Sequence, residues 1–294
     1  MIYINTKCNK NMASKNPKYF KVEDVLKGKL TKQEMKLLPR AFDTIGSVIV
    51  LELPEELVRK EKTIGQAFLK VHKNIKTVCK RAGIHSGEFG IRPVKVIAGD
   101  PDTETFYKES GAVMKLDVSK TYFTPRLSHE RERIAGLVKS KETIGYFFAG
   151  VGPFGFVIAR AHSNVKIYAV ELNPDAFGYL EENIRLNRCQ TIIEPILGDV
   201  RDAPEFLKGK CNRILMPLPK GAETFLNVAF DCAAKDCIIH FYQFAPKNEP
   251  FKDTAKKVLA EAKKQHKKVK IVDKRVIRPY SPSVVQIVLD IKVL

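Results

Sequence analysis

The chain has 294 residues, 44% apolar and 29% charged, with 51 Lys+Arg against 33 Asp+Glu and a net charge of +18. That length suggests two domains, and the apolar share is enough for a sizeable core. The charge argues against a generic enzyme of small neutral substrates and for a polyanionic partner, because clustered cations gain affinity by releasing counterions from phosphates.

Apolar runs fall short of the ~18 residues that span a bilayer, and the opening MIYINTKCNKNMASK lacks the apolar stretch of a signal peptide. Six cysteines without a CxxC pair argue against a disulfide framework or a zinc ribbon. A reducing cytoplasm, no membrane association and no metal are therefore expected. The charge is also segregated. Residues 1–80 carry 17 basic and 8 acidic side chains and residues 251–294 carry 12 and 4, whereas residues 141–250 carry 12 and 13. A lysine-rich proteome is the plain explanation; the sharper one is a near-neutral core flanked by surfaces that grip nucleic acid.

In chain order, residues 1–28 read as a basic extension without a long period. LTKQEMKLLPRAF reads as a helix and SVIVLELP as a strand ended by Pro54. Residues 55–82 repeat apolar positions every three or four and predict a helix. VKVIAG, AVMKLDVS and TYFTP are β-like, so residues 29–125 form an α+β domain, expected to bind RNA. From Thr143 strands and helices alternate strictly: TIGYFFAG, PFGFVIARAH, VKIYAVEL, PDAFGYLEENIRLNR, TIIEPIL, a short acidic helix near 202–207, NRILMPLP, AETFLNVAFDCAA, DCIIHFYQF and the basic helix FKDTAKKVLAEAKKQHKK. Such alternation specifies a parallel, doubly wound α/β sheet. KVKIVDKRVI and SVVQIVLDIKVL, joined by RPYSPS, read as a closing hairpin, so one of them runs antiparallel.

Three features in the second half carry chemistry. FFAGVGPFG places Gly150, Gly152 and Gly155 between a strand and a helix, where glycine permits positive φ and close approach of a ligand. Pro153 removes a donor from the helix start, which suits a ligand without phosphate at that point better than a dinucleotide. Glu171 ends the second strand about twenty residues on, placed to accept from ribose hydroxyls. Asp199 follows the third strand in GDVRD and can take the exocyclic amine of adenine, or simply cap a helix.

In this order the features resemble the class I (Rossmann-like) S-adenosylmethionine-dependent methyltransferases, which implies a seven-stranded sheet with a reversed last strand over residues 126–294. A narrower resemblance rests on TYFTPRLSHERERIA (121–135), FFAGVGPFG (147–155), ELNPDAFGYLEENIRLN (171–187), MPLPKGAETFL (216–226) and the preceding VIAGDPDTETFYKESGAVMKLDVSK. These stretches resemble the archaeal and eukaryotic tRNA (guanine-37, N1)-methyltransferases, from about residue 30 onward.

The resemblance implies S-adenosyl-L-methionine as cofactor, the anticodon stem-loop of tRNA as partner and a monomer. Guanine N1 carries a proton at neutral pH, so methyl transfer needs a general base and stabilisation of charge developing at O6. The resemblance assigns the base to Glu130, nucleotide contact to Arg126 and the O6 stabiliser to Arg92. By the residues alone Glu130 would sooner pair with Arg126, Arg131 or Arg133 as a surface ion network, and the resemblance reverses that order. The implied cofactor set is Arg131, Phe148, Gly150, Gly152, Pro153, Phe154, Glu171, Leu172, Asn173, Asp199, Val200 and Pro217, with Pro219 and Lys220 on the substrate side. The family usually reads NLPK where this chain has Pro217-Leu218-Pro219-Lys220, so one base-edge contact is missing. That departure fits the bifunctional type that also C-methylates a tricyclic wyosine precursor. The aminocarboxypropyl transferase of wyosine synthesis and a non-catalytic RNA-binding protein remain as alternatives. Tyr122 and Tyr280 are candidates to stack on a flipped base.

Overall fold

The computed structural model describes residues 20–83, 89 and 91–294, so most of the 1–28 extension, and Gly90, lie outside the described residues. Helices α1 (Val22–Leu26) and α2 (Lys32–Lys36) precede strands β1 (Asp43–Ile45) and β2 (Val48–Leu51), helix α3 (Glu61–Val71), and strands β3 (Thr77–Arg81) and β4 (Val94–Gly99). The sheet order is β1-β2-β3-β4. The helix expected over 55–82 is shorter: its last segment is β3, parallel to β2 and antiparallel to β4. The chain turns at Lys73-Asn74, and β-branched Thr77 and Val78 then suit a strand whose Val78 and Cys79 are wholly buried. An apolar period shared by a helix and the strand behind it cannot mark where one ends.

A hairpin of β5 (Glu104–Glu109) and β6 (Ala112–Asp117) follows. TYFTP does not become a strand; it is a loop whose Thr124 side chain caps a short turn at Pro125–Leu127, leading into α4 (Ser128–Leu137). The remaining elements are β7 (Thr143–Phe147), α5 (Pro153–Ala161), β8 (Lys166–Glu171), α6 (Pro174–Leu186), β9 (Ile193–Leu197), α7 (Pro204–Leu207), β10 (Cys211–Met216), α8 (Leu226–Cys232), β11 (Ala233–Pro246), α9 (Lys252–Lys264), β12 (Val269–Pro279) and β13 (Val284–Val293).

These strands form one sheet in the order β12-β13-β11-β10-β7-β8-β9, parallel except for β13, which runs antiparallel to both β11 and β12. This is the seven-stranded class I arrangement with a reversed last strand. Its two faces bury separate apolar clusters, one around Tyr146, Phe154, Phe156 and Leu180, the other around Phe147, Phe230, Phe241 and Leu289. Two asparagines, one in α6 and one at its C-cap, tie the hairpin on. Asn183 and Asn187 each accept from and donate to the backbone of β6, at Lys115 and Val113. Both side chains satisfy a strand edge that would otherwise be buried without partners.

Candidate active site

The turn after β7 is strained in the way a ligand cradle requires. Phe148, Gly150 and Gly152 all have positive φ, 56°, 57° and 93°. The two glycines serve different ends. A Cβ on Gly152 would lie 2.6 Å from Leu180 Cδ1 and Phe156 Cε2, so this glycine lets α5 and α6 close together. A Cβ on Gly150 would meet nothing nearer than the Tyr122 carbonyl at 3.8 Å, leaving open space beside the backbone. Pro153 is the first residue of α5.

Glu171, at the end of β8, accepts from Gly150 N at 2.6 Å and Asn173 N at 2.8 Å. Burial pushes its carboxyl above the usual range, opposed by backbone donors at Asn173, Gly150 and Leu172. Each oxygen keeps an acceptor site for a hydroxyl. Leu172 beside it is 37% exposed, an apolar surface without a protein cover. Asp199 caps the short turn Val200–Asp202 and pairs with Arg201, while Val200 is buried. Asp199 therefore does act as a cap, with its side chain still partly open. The Arg201 guanidinium lies 4.8 Å above the Phe225 ring, and that ring meets Phe148 edge-on. The open space at Gly150, the free acceptors of Glu171 and the bare Leu172 fit an adenosyl ligand with a ribose at Glu171.

The loop 118–125 lies over this turn. Asn173, expected on the cofactor, is 4% exposed; its Oδ1 caps α6 and its Nδ2 donates to the Lys120 carbonyl at 3.0 Å. Arg131 also differs from expectation. Its Nε and Nη2 grip both Glu109 oxygens, at 2.6 and 2.5 Å, and Nη1 reaches the Thr124 carbonyl. At 1% exposure, with those donors engaged, it clamps the hairpin and the loop to α4 rather than facing a ligand. Phe154 is likewise core, 2% exposed between Tyr146 and Tyr242.

Glu130 occupies the first turn of α4 and is 6% exposed. Arg133 holds it bidentately, Nε to Oε2 at 2.8 Å and Nη2 to Oε1 at 2.7 Å, and the Tyr242 hydroxyl donates to Oε1 at 2.6 Å. The pairing with Arg133 is a buried one, not a solvated network. Through Tyr242 and Phe154, whose ring centroids are 6.0 Å apart, Glu130 lies one layer from the glycine turn. Arg126 donates to Asp43 at 2.6 Å, joining the short turn before α4 to β1. Arg92 bonds the Gly83 carbonyl and Glu52. It lines a small hollow with Arg81, Tyr122 and Phe123 between the N-terminal sheet and the loop.

After β10, Pro217 is half-buried, the Pro219 carbonyl accepts from Phe244 N at 3.0 Å, and Lys220 points outward, exposed. Two residues here escape sequence reasoning. Gln243 is 7% exposed and donates to Glu223, leaving its Oε1 without a partner next to the 217–220 loop. Tyr242, in an apolar strand, gave no sign that its hydroxyl reaches a carboxylate. At the rim, Tyr280 packs on Phe244 at 4.2 Å and is 51% exposed, and Tyr122 is 44% exposed. A cleft of about 630 Å³ lies elsewhere, between the start of α9 and β12.

Family comparison agrees with this architecture. The family described as "TRM5/TYW2 methyltransferase domain" matches residues 105–272, and "TYW2 N-terminal domain" matches residues 22–103. The chain belongs to the TRM5/TYW2 methyltransferase family. It is 41% identical over 262 residues, 89% of this chain and 77% of the relative, to a Pyrococcus abyssi protein named tRNA (guanine(37)-N(1))-methyltransferase Trm5b. A solved complex of aTrm5 and tRNALeu superposes with a TM-score of 0.82 at 31% identity, covering 94% of this chain and 79% of that one. Methanocaldococcus jannaschii TYW2 in complex with AdoMet gives a TM-score of 0.67 at 27% identity, covering 86% and 99%. The boundary between the two matched families falls at the start of β5, so the β5–β6 hairpin travels with the methyltransferase domain onto which α6 ties it.

Proposed function

We propose that this protein transfers a methyl group from S-adenosyl-L-methionine to N1 of guanine 37 in tRNA. The observation that carries the reading is a buried carboxylate, Glu130, one aromatic layer from a turn shaped for an adenosyl ligand, in a chain of this family. The sulfonium, when bound, supplies an electrophilic methyl group and leaves as a neutral thioether. The chain's own residues do the rest. The glycine turn and Glu171 hold the nucleoside end, and Leu172 covers an apolar face of it.

Glu130 takes the N1 proton. Its Oε2 accepts one hydrogen bond against two at Oε1, so Oε2 keeps the free acceptor site. Tyr122, 44% exposed, offers a ring to a guanine drawn out of its stack, and Arg92, held by Glu52 and the Gly83 carbonyl, is the guanidinium we assign to O6. Lys220 meets the phosphate backbone, and Tyr280 on Phe244 offers a stacking surface to a neighbouring base. A cytoplasmic monomer is the state in which we expect this chemistry.

The deciding assay is methyl transfer to tRNA transcripts carrying guanine or adenine at position 37. Transfer to guanine only, lost at least 10³-fold in Glu130→Gln with tRNA binding kept, supports the reading; equal transfer to both transcripts overturns it. A second reading is favoured by Pro217: C-methylation of the wyosine precursor at the same position. Proline offers neither a side-chain donor nor an N–H to the base edge, which relaxes the demand for guanine. Transcripts bearing the precursor test it, and no incorporation beyond N1 removes it.

A further inference from the structure

Glu130 does not stand alone. Arg133 also donates from Nη1 to Asp290 Oδ2 at 2.8 Å. Asp290 Oδ1 lies 2.6 Å from His240 Nδ1, and His240 Nε2 lies 2.7 Å from Arg213 Nη1. Arg213 in turn grips both oxygens of Glu142 and donates to the Leu137 carbonyl at the end of α4. A guanidinium can only donate, so His240 Nε2 accepts, the ring is neutral, and its proton sits on Nδ1 facing Asp290. Burial, with Arg213 and Arg133 nearby, lowers the imidazole pKa in keeping with that state, against the opposing pull of Asp290.

The chain therefore holds three carboxylates, two guanidiniums and a neutral imidazole, a net charge of −1 in the core. A buried cluster one negative charge in excess becomes neutral when it accepts one proton. We infer that Asp290, held by His240, is a positioning residue that sets the proton affinity of Glu130 through Arg133. Without Asp290 the guanidinium would belong to Glu130 alone, and the carboxylate would be a poor base. With it, Arg133 is shared, and the proton leaving guanine N1 as the methyl arrives neutralises the cluster instead of separating charge. The titratable and charged groups facing this centre are Arg133 from α4, His240 and Tyr242 from β11, Asp290 from β13, Arg213 from β10 with Glu142 beside it, and Asp273 of β12 opposite Asp290, itself paired with Arg275.

The inference rests on Glu130 as the base, and the test separates the two. Single-turnover methyl transfer to the guanine-37 transcript is followed from pH 5 to 9, with melting temperature recorded for each variant. Asp290→Asn brings the cluster to neutrality before any proton arrives. Its transfer rate at neutral pH should fall at least tenfold with tRNA affinity within about twofold, and the acidic limb should move down by about one pH unit. Asp290→Glu keeps the charge and should restore the limb. Arg133→Gln removes a positive charge and should move the limb upward. Whichever of these folds, the direction of its shift decides: a native limb in a folded Asp290→Asn or Arg133→Gln protein, with only the melting temperature lowered, leaves the network merely structural. Glu130→Gln with native activity would instead overturn the base assignment itself.

Discussion

The glycine turn and the α4 network border the same aromatic layer, yet they are built by opposite rules. At the turn, backbone is strained and polar groups are left with spare capacity: Gly150 faces open space, and Glu171 keeps acceptor sites. In the network every group has a protein partner, from Glu142 through Arg213, His240, Asp290 and Arg133 to Glu130 and Tyr242. A site that must admit a ligand stores its hydrogen bonds; a carboxylate that must hold one orientation in a low-dielectric core has them already made.

Breaking the closed side should cost most. Arg213→Met leaves Glu142 and the Leu137 carbonyl without their donor and should destabilise by roughly 3–5 kcal/mol in urea unfolding, because a buried pair loses one partner. Arg131→Met orphans Glu109 and should cost toward the lower end of that range. Affinity for S-adenosylmethionine should stay within a few-fold by calorimetry; a loss of a hundredfold would return Arg131 to the cofactor.

On the open side the two glycines should part company. Gly152→Ala meets Leu180 and Phe156 as well as an unfavourable φ and should lose about 2–3 kcal/mol. Gly150→Ala pays only about 1 kcal/mol of backbone strain, yet should lose tenfold or more in cofactor affinity.

Acid should find the network before the turn. Burial favours the protonated form of Asp290, but His240 and Arg133 outweigh it and hold its carboxyl down to about 2. A depressed carboxyl contributes stability above its ordinary value near 4 and loses it as pH falls toward 2, a change of about 2 kcal/mol. His240, also depressed, acts with the same sign from the ordinary histidine range downward. Glu171, raised by burial, has the opposite sign: its contribution is present at low pH and is lost as pH rises through its folded value. Thermal melting between pH 7 and 3 should show the decline, and Asp290→Asn should flatten it. The smallest effect belongs to Lys220→Ala, a few-fold loss of tRNA affinity with a salt slope shallower by about one.

Much of the second domain was legible because its signals are local. Strand–glycine–proline–helix at 147–155, an acid ending the next strand and strict β/α alternation each act over a few residues, and together they specify the sheet and one end of its ligand. The N-terminal domain was less legible at β3, where Val78 and Cys79 continue an apolar spacing suited to the helix before them. Two residues of the expected cofactor set were not legible for one reason: Arg131 and Asn173 flank the site in sequence, but their side chains turn to Glu109 and to the Lys120 carbonyl.

From its order of residues alone this chain determined a doubly wound α/β sheet and a basic surface, since both follow from composition and period, whereas the methyltransferase class and the base role of one carboxylate came with the family resemblance of its motifs. Tertiary structure alone decided what surrounds that carboxylate. His240, Tyr242 and Asp290 are scattered across two apolar strands, and only the antiparallel pairing of β13 with β11 sets His240 opposite Asp290. Charge in a protein core is governed by distance and dielectric rather than by sequence separation, and 112 residues part Tyr242 from the Glu130 oxygen it holds.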